Sequence, residues 1–170
     1  LIQTARRNVN LVAICNNNFN YGMTGGQFSP TTPAGGITKT SPKGHKEGSF
    51  DLCELVKTAG ATYVARWTTT HARQSVNSIK KAIQNKGFSF VEIVSQCPTH
   101  FGRNNRIGDG VAMMRWQRET SVRMSRAVEM SRKELEGKIV VGEFVDVQRA
   151  EYGEILRSLW PGGEDENGQN

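Results

Sequence analysis

Short apolar runs and longer stretches with helical spacing alternate along this chain. Apolar runs of strand length occur four times, at Val9–Ile14, Tyr63–Trp67, Phe88–Ser95 and Lys138–Val145. Helical spacing or helix-end residues mark five further stretches, at Leu1–Arg7, Phe50–Thr58, Thr70–Asn85, Val111–Leu135 and Tyr152–Leu159. This alternation predicts the α/β fold class, with a parallel sheet whose strands are buried beneath flanking helices.

Two long loops follow predicted strands and are expected at one edge of the sheet. Right-handed crossovers bring the C-terminal ends of parallel strands to the same edge, where open α/β sheets bind their ligands. Asn16–Gly48 follows the first strand, and Gln96–Asp109 follows the third. Because structureless connections of this length are usually functional or disordered, we expect the functional residues in these two loops.

The composition is that of a soluble globular protein. Of the 170 residues, 36% are apolar, and no apolar run approaches the roughly 20 residues that a membrane helix needs. The three cysteines, Cys15, Cys53 and Cys97, are odd in number and widely spaced. A disulfide framework is therefore not expected, and a reducing, cytoplasmic setting without a membrane partner is favoured.

Charge is distributed unevenly along the chain. The net charge is +6, and residues 1–50 carry five Lys or Arg residues against a single carboxylate, Glu47. A basic segment of this kind suits a phosphorylated ligand or an acidic protein partner, with a simple solubility bias as an equal alternative. No nucleic-acid-binding motif accompanies the basic residues, so we do not expect nucleic acid as a partner.

The segment NNNFNYGMTGGQ, at Asn16–Gln27, contains groups that suit a metal-bound diphosphate. Asn18 and Asn20 are two residues apart, so the side chain of one and the carbonyl of the other can face the same point. Amide and carbonyl oxygens are ligands that Mg²⁺ accepts. Thr24 and the two glycines after it add a hydroxyl and backbone N–H groups suited to a diphosphate. Asn and Gly are also the commonest turn residues, so a plain turn is the alternative.

This segment resembles the motif N-x-x-Y-G-x-T-x-G-Q-x-S-P-T of the β subunits of 2-oxoacid:ferredoxin oxidoreductases. The matching residues are Asn18, Tyr21, Gly22, Thr24, Gly26, Gln27, Ser29, Pro30 and Thr31. The resemblance continues through KTSP, AGATYVAR and KGFSFVEI, and so covers most of the chain. It implies part of a thiamine-diphosphate-binding parallel sheet with flanking helices, followed by a C-terminal helical extension.

The resemblance also implies roles for individual residues of the first loop. Asn18 would bind Mg²⁺ through its side chain, and Asn20 would bind it through its backbone carbonyl. The cofactor's diphosphate and reactive end would be lined by Tyr21, Gly22, Met23 and Thr24. The GDG strand of the family, with its Mg²⁺-binding aspartate, and the family's N-terminal cysteines would lie before Leu1.

Cys97, in the second loop, has two interpretations. Taken alone, a single cysteine is typically a buried residue that serves packing. Pro98 directly after it is a feature of ferredoxin-type cluster ligation, and the family has a C-P-T element at this place. The resemblance therefore implies that Cys97 is the fourth ligand of a 4Fe–4S cluster near the thiamine cofactor.

The function that the resemblance implies is the coenzyme A-dependent oxidative decarboxylation of a 2-oxoacid, with an α subunit and ferredoxin as partners. Gly25 replaces a lysine of some broad-specificity relatives, and the MTGGQ-x-SPTTP form favours 2-oxoglutarate. No residue of this chain is expected to act as a catalytic acid or base. The rivals are a thiamine enzyme of another type, and a non-enzymatic scaffold or basic α/β binding module.

Three regions are expected along the chain. Residues 1–95 would form the C-terminal half of the thiamine-diphosphate-binding domain. Residues 96–160 would form a family-specific extension with the cluster-ligand loop and one long helix, Val111–Leu135, which would lie at the interface with the other subunit. Residues 161–170 would form a flexible tail.

Overall fold

The structure is a computed structural model that describes residues 1–160. Its strands are β1 (Leu11–Asn17), β2 (Asn20–Tyr21), β3 (Gln27–Phe28), β4 (Tyr63–Thr68), β5 (Phe88–Val94), β6 (Ser121–Arg123) and β7 (Ile139–Asp146). Its helices are α1 (Ile2–Arg7), α2 (Leu52–Thr58), α3 (Ala72–Gln84), α4 (Gly110–Thr120), α5 (Met124–Ala127), α6 (Arg132–Leu135) and α7 (Tyr152–Leu159). A 3₁₀ turn at Thr69–His71 precedes α3, and a π-helical turn spans Pro98–Gly102.

Five strands form one sheet in the order β1-β5-β4-β7-β6. The pairs β1–β5 and β5–β4 are parallel, which confirms the predicted α/β class and the parallel sheet. β7 pairs with β4 in the antiparallel direction, so its C-terminal end does not join the common edge as expected. β2 and β3 form a separate antiparallel hairpin beyond the end of β1.

Helices cover both faces of the sheet, because the central strands are apolar on both sides. All six residues of β4 are buried, and its side chains alternate between the faces. Tyr63, Ala65 and Trp67 belong to a core cluster that includes Ala82 of α3. Val64 belongs to a second cluster formed with residues of α1 and α2. The carboxyl ends of the three parallel strands are thereby held in fixed positions.

The single long helix predicted at Val111–Leu135 is wrong. The structure divides this stretch into α4, β6, α5 and α6. The side-chain hydroxyls of Thr120 and Ser121 donate to the carbonyls of Trp116 and Gln117, at 2.8 and 2.6 Å. Such bonds compete with the backbone hydrogen bonds that would continue the helix. Ser121 instead adopts an extended backbone conformation, and β6 begins there to pair with β7. A further helix starts at Ser131, whose side chain forms a capping box with Glu134.

The region after residue 95 is joined to the sheet rather than separate from it. Its strand β7 pairs with β4, and α4 contributes Met113 to a small core with Cys97 and Phe101. The predicted boundaries at residues 95 and 160 stay predictions, and the predicted flexible tail lies outside the described residues. None of the described helices has the length and apolar character needed to span a membrane.

Candidate cofactor site

The two loops singled out from the sequence meet at the carboxyl edge of the sheet. β1 ends at Asn17, whose carbonyl accepts a hydrogen bond from the N–H of Ser95, directly after β5, at 2.9 Å. The hairpin β2–β3 starts three residues beyond the end of β1, at Asn20, and Cys97 lies three residues beyond the end of β5. The parallel pairing of β1 with β5 therefore brings two segments about 80 residues apart to one point.

That point lies beside Gly22. A Cβ atom placed on Gly22 would be 3.4 Å from Nδ2 of Asn18, 3.5 Å from Sγ of Cys97 and 4.0 Å from Oδ1 of Asn20. The structure thus gathers four of the residues predicted from the sequence around one backbone position. A Cβ atom at Gly22 would be in ordinary van der Waals contact with these three groups, and a longer side chain would push against them.

The side chain of Asn20 is buried without a hydrogen-bond partner among the described residues. Asn20 is 6% exposed, and both its Nδ2 and its Oδ1 lack a partner. A buried amide that leaves its donors and acceptors unused costs free energy. A polar ligand beside the Asn20 amide would supply the missing hydrogen-bond partner. This unpartnered amide is the strongest indication of a cofactor site in the described chain.

The other predicted residues of the hairpin have exposed side chains. Tyr21 and Thr24 are exposed, and Met23 is fully exposed to solvent. The hydroxyl of Thr24 donates to the carbonyl of Tyr21 at 3.2 Å. The expectation that the glycines after Thr24 offer backbone N–H groups to a ligand is wrong. Their N–H groups donate to backbone carbonyls inside the turn: that of Gly25 to the carbonyl of Gly22, and that of Gly26 to the carbonyl of Tyr21.

Asn17 holds the first loop in place. Its Oδ1 accepts from the N–H of Phe19 at 3.0 Å and from the hydroxyl of Thr31 at 2.8 Å. The hydroxyl of the next residue, Thr32, donates to the carbonyl of Phe19 at 2.6 Å. Phe19 has a φ of 63°, in the left-handed region that non-glycine residues seldom adopt. These hydrogen bonds hold the backbone of Phe19 in this turn, and so they fix the positions of its neighbours Asn18 and Asn20.

Beneath Asn17 lies a network of charged side chains that the sequence analysis missed. Glu92 of β5 is 2% exposed and accepts from Nδ2 of Asn17 at 2.7 Å and from Nε of Arg66 at 2.6 Å. Arg66 of β4 also forms an ion pair with Asp51. A signal was present in the sequence, because Arg66 and Glu92 interrupt strands that are otherwise apolar. Charged residues inside buried strands occur almost only when they are paired.

This network shifts the pKa values of its members. Burial opposes the ionisation of Asp51, but hydrogen bonds and the positive charge of Arg66 outweigh that effect and lower the pKa of Asp51. Burial is the main cause that raises the pKa of the Cys53 thiol well above its usual value. Cys53 donates to Oε2 of Glu92 at 3.4 Å, so it is a neutral member of the network.

Cys97 is a buried free thiol next to the hairpin. It is 8% exposed and packs with Phe101 and Met113. His100, on the turn that follows, lies against the backbone of Gly26. Within residues 1–160, no group of three or more His, Cys, Asp and Glu side chains is placed to hold a metal ion. Cys97 would therefore be one ligand among others supplied from elsewhere.

A cleft of about 660 Å³ opens beside the first loop. Its polar side includes Asn18, Asn20 and Tyr21, and its apolar side includes Leu1 of the N-terminal segment and Leu52 of α2. Binding clefts of this size commonly combine apolar walls with a few polar groups that orient the ligand. The cleft can accommodate a cofactor whose polar end reaches the two asparagines.

Comparisons with known proteins show which proteins this chain resembles. The family described as "Thiamine pyrophosphate enzyme, C-terminal TPP binding domain" matches residues 1–93, which include the loop after β1. The 2-oxoglutarate synthase subunit KorB of Methanothermobacter marburgensis is 54% identical over 151 residues, 89% of this chain and 53% of the relative. The protein of the same name from Methanocaldococcus jannaschii is 53% identical over 158 residues, 93% of this chain and 58% of the relative. The chain thus spans little more than half of the relatives' length.

A solved structure shares the fold. It is described as 2-oxoglutarate:ferredoxin oxidoreductase from Magnetococcus marinus with 2-oxoglutarate, coenzyme A and succinyl-CoA bound. The similarity has a TM-score of 0.79 at 25% identity and covers 99% of this chain and 58% of that one. These relatives confirm the family resemblance predicted from the sequence. Since the family match spans more than half of the chain, the chain belongs to the thiamine pyrophosphate enzyme family, through its C-terminal TPP-binding domain.

Proposed function

We propose that this chain is the β-subunit portion of a 2-oxoglutarate:ferredoxin oxidoreductase. The reaction is the coenzyme A-dependent oxidative decarboxylation of 2-oxoglutarate, with thiamine diphosphate, Mg²⁺ and a 4Fe–4S cluster as cofactors. The observation that carries this proposal is the meeting of Asn18, Asn20 and Cys97 around Gly22. Relatives named as 2-oxoglutarate synthase subunits, similar over most of this chain, support the choice of substrate.

Asn18 and Asn20 are the proposed Mg²⁺ ligands of this chain. Their amide and carbonyl oxygens are hard, neutral donors, and Mg²⁺ typically completes its octahedral shell with phosphate oxygens and water. The buried, unpartnered amide of Asn20 supports a polar occupant here. A negatively charged ligand such as an aspartate, which the family carries on its GDG strand, would come from outside this set of residues.

The residues of this chain hold and orient the cofactor. Thiamine diphosphate supplies the carbanion chemistry that cleaves a 2-oxoacid next to its carbonyl group. The diphosphate and the reactive end of the cofactor would be lined by Tyr21, Gly22, Met23 and Thr24. The apolar residues of the cleft, which include Leu1 and Leu52, would pack against the apolar part of the cofactor. No side chain of the site is assigned a proton transfer.

Cys97 is the proposed single cluster ligand on this chain. It lies buried within 4 Å of the Cβ position of Gly22, so a cluster bound there would adjoin the thiamine loop. Such proximity suits the transfer of electrons out of the thiamine site toward ferredoxin. A 4Fe–4S cluster is commonly bound by four thiolates. The other three thiolates would therefore come from outside residues 1–160.

The remaining partners follow from the same assignment. An α subunit completes the complex, and ferredoxin accepts the electrons in the cytoplasm. The basic first fifty residues, with one carboxylate against five Lys or Arg residues, suit the phosphate groups of coenzyme A or an acidic protein surface. Gly25, where a lysine would favour broader substrate choice, supports a narrow preference for 2-oxoglutarate.

The test compares wild type with Cys97→Ala in the intact complex, purified without oxygen. Iron content, visible absorption and coenzyme A-dependent dye reduction by 2-oxoglutarate are measured, together with binding of thiamine diphosphate. We expect the variant to lose one cluster's worth of iron and dye reduction, because a cluster ligand is removed, while thiamine binding remains. Cys15→Ala, which removes a half-buried thiol of β1 that lines the cleft, is the matched control and should keep its iron.

Two results would contradict the proposal at different points. Unchanged iron and an unchanged rate in Cys97→Ala would remove Cys97 from the cluster and favour a thiamine enzyme of another type. Failure of the wild-type complex to bind thiamine diphosphate with Mg²⁺ would favour the scaffold alternative.

A further inference from the structure

Glu92 is a buried carboxylate at the centre of the sheet. It lies on β5, opposite Cys15 of β1 on one side and Arg66 of β4 on the other. An ionised carboxylate with so little exposure is stable only when charged or polar partners surround it. Its partners are the guanidinium of Arg66, the amide of Asn17 and the thiol of Cys53. The first balances its charge, while the second connects it to the cofactor loop.

The bond from Asn17 to Glu92 decides how the Asn17 amide is oriented. An ionised carboxylate only accepts hydrogen bonds, so it requires the NH₂ end of Asn17 to face it. The oxygen end of Asn17 must then face the loop. There it meets two donors, the N–H of Phe19 and the hydroxyl of Thr31. A flipped amide would set oxygen against carboxylate and NH₂ against these donors, and every one of these contacts would be lost.

The oriented Asn17 in turn shapes the segment that carries the proposed Mg²⁺ ligands. Phe19 adopts its left-handed conformation between Asn18 and Asn20, and its N–H is held by Asn17. A residue in this conformation persists only where the surroundings support it. Removing the acceptor at Asn17 would release the turn, and both flanking asparagines would lose their fixed positions.

We propose that Glu92 is a positioning residue for the Mg²⁺–thiamine diphosphate loop, acting through the amide of Asn17. The inference rests on the proposed function, since it assumes that Asn18 and Asn20 bind the metal. Glu92 itself touches neither metal nor cofactor. Its contribution is to hold the neutral Asn17 amide in the one orientation that supports the loop.

Two single substitutions test the orientation from opposite sides. Glu92→Gln leaves one oxygen to serve both Arg66 and Asn17, and turns an NH₂ group toward one of these donors. Asn17→Asp keeps the acceptor for Phe19 but sets a second carboxylate against Glu92, across a contact of 2.7 Å between the present atoms. Loss of groups that orient metal ligands typically weakens metal binding about 10- to 100-fold, so we expect each variant to bind Mg²⁺ about tenfold more weakly.

The exchanged pair, Glu92→Gln with Asn17→Asp, restores the complementarity. The amide at position 92 donates to the carboxylate at position 17, and its oxygen still accepts from Arg66. The carboxylate at position 17 still accepts from Phe19 and Thr31. The buried net charge is unchanged. We therefore expect the affinity of the double variant for Mg²⁺ to return to within about threefold of wild type. This departure from the sum of the two single effects is the coupling that a double-mutant cycle measures.

The experiment uses the intact complex freed of its cofactor. Binding of thiamine diphosphate is titrated by calorimetry at several Mg²⁺ concentrations for wild type, both single variants and the double variant. Ser78→Ala is the control, because it removes the buried hydroxyl that accepts from Nε1–H of Trp67, away from the loop. It should lower thermal stability without weakening binding. Thr31→Val, which removes only one donor to Asn17, gives a milder variant should Glu92→Gln fail to fold, and is expected to weaken binding about threefold.

Recovery of the affinity in the exchanged pair supports the inference, since two independent losses of affinity would add rather than cancel. Wild-type affinity in both single variants, or a double variant no better than the weaker single one, overturns it while leaving the proposed function intact. A wild-type complex that does not bind Mg²⁺–thiamine diphosphate overturns the proposed function and this inference together.

Discussion

At the residue scale, Gly26 shows how closely the two loops of the site approach each other. It has a φ of 84°, and its N–H and carbonyl both bond to backbone, the carbonyl to the N–H of Lys39 at 2.8 Å. A Cβ atom at this position would lie 2.7 Å from Cβ of His100. The hairpin after β1 and the turn after Cys97 therefore touch through a position where no side chain fits. That contact holds the hairpin, which carries the proposed cofactor ligands, beside the proposed cluster ligand.

Gly26→Ala should lower the free energy of unfolding by about 2–4 kcal/mol, since left-handed backbone and overpacking each cost about 1–3 kcal/mol. The measurement is the denaturant midpoint with its slope. Gly48→Ala is the matched control, because Gly48 has open space around its Cβ position and no left-handed φ. It should be neutral, or stabilising by about 0.5 kcal/mol. Equal effects in the two variants would contradict the close approach of the loops.

At the element scale, Asp51 connects helix α2 to the strand beside the site. Its Oδ1 caps the helix by accepting from the N–H of Glu54 at 3.0 Å, and its carboxylate also pairs with Arg66 of β4. Arg66 continues the connection to Glu92 of β5. The start of α2 and the ends of two strands thus share one set of charges, and the cleft between them keeps its shape.

Asp51→Asn should lower stability by about 1 kcal/mol at pH 7, because it keeps the cap but loses the half-exposed ion pair. The pKa of Asp51 is lowered in the folded protein, so its stabilisation is present above its unfolded pKa of about 4 and is lost as pH falls through the folded value. The difference between wild type and variant should therefore shrink below about pH 4. Thermal unfolding between pH 7 and 2.5 measures it, and a difference independent of pH would contradict the pairing.

At the scale of the whole molecule, Asn8 joins the two ends of the described chain. It is 1% exposed and ends α1 with a φ of 53°. Its Oδ1 accepts from the N–H of Phe88 and the hydroxyl of Thr62, while its Nδ2 donates to the carbonyls of Arg149 and Ala150. One side chain therefore links α1, β4, β5 and the segment before α7.

Asn8→Ala should cost about 3–4 kcal/mol, because four hydrogen bonds of about 1 kcal/mol each are lost, two of them buried and two partly buried. Chemical denaturation of the complete protein is the measurement. Asn77→Ala, on the exposed side of α3, removes the same side chain without these bonds and should change stability by less than about 0.5 kcal/mol. A loss below 1 kcal/mol for Asn8→Ala would mean that the ends are held by other contacts.

The sequence predicted the strands β1, β4 and β5 and the helix α3 closely, because continuous apolar runs and helical spacing are local signals. The long helix after Val111 was wrong for a reason that is not local. Its middle contains Ser121 and Val122, which leave the helix when β7 offers a strand partner. Helical propensity was outweighed by pairing with a segment distant in the sequence.

The sequence by itself determined the α/β class, the family, and the placement of Asn18, Asn20 and Cys97 beyond the ends of strands of the parallel sheet, since these depend on residue type and order. Only the tertiary structure decided that β5 lies between β1 and β4, and that β7 runs against them. Apolar periodicity is the same for every strand order and direction, so it carries no such information. The same insertion of β5 sets Glu92 between Arg66 and Asn17, a contact that exists because three strands meet.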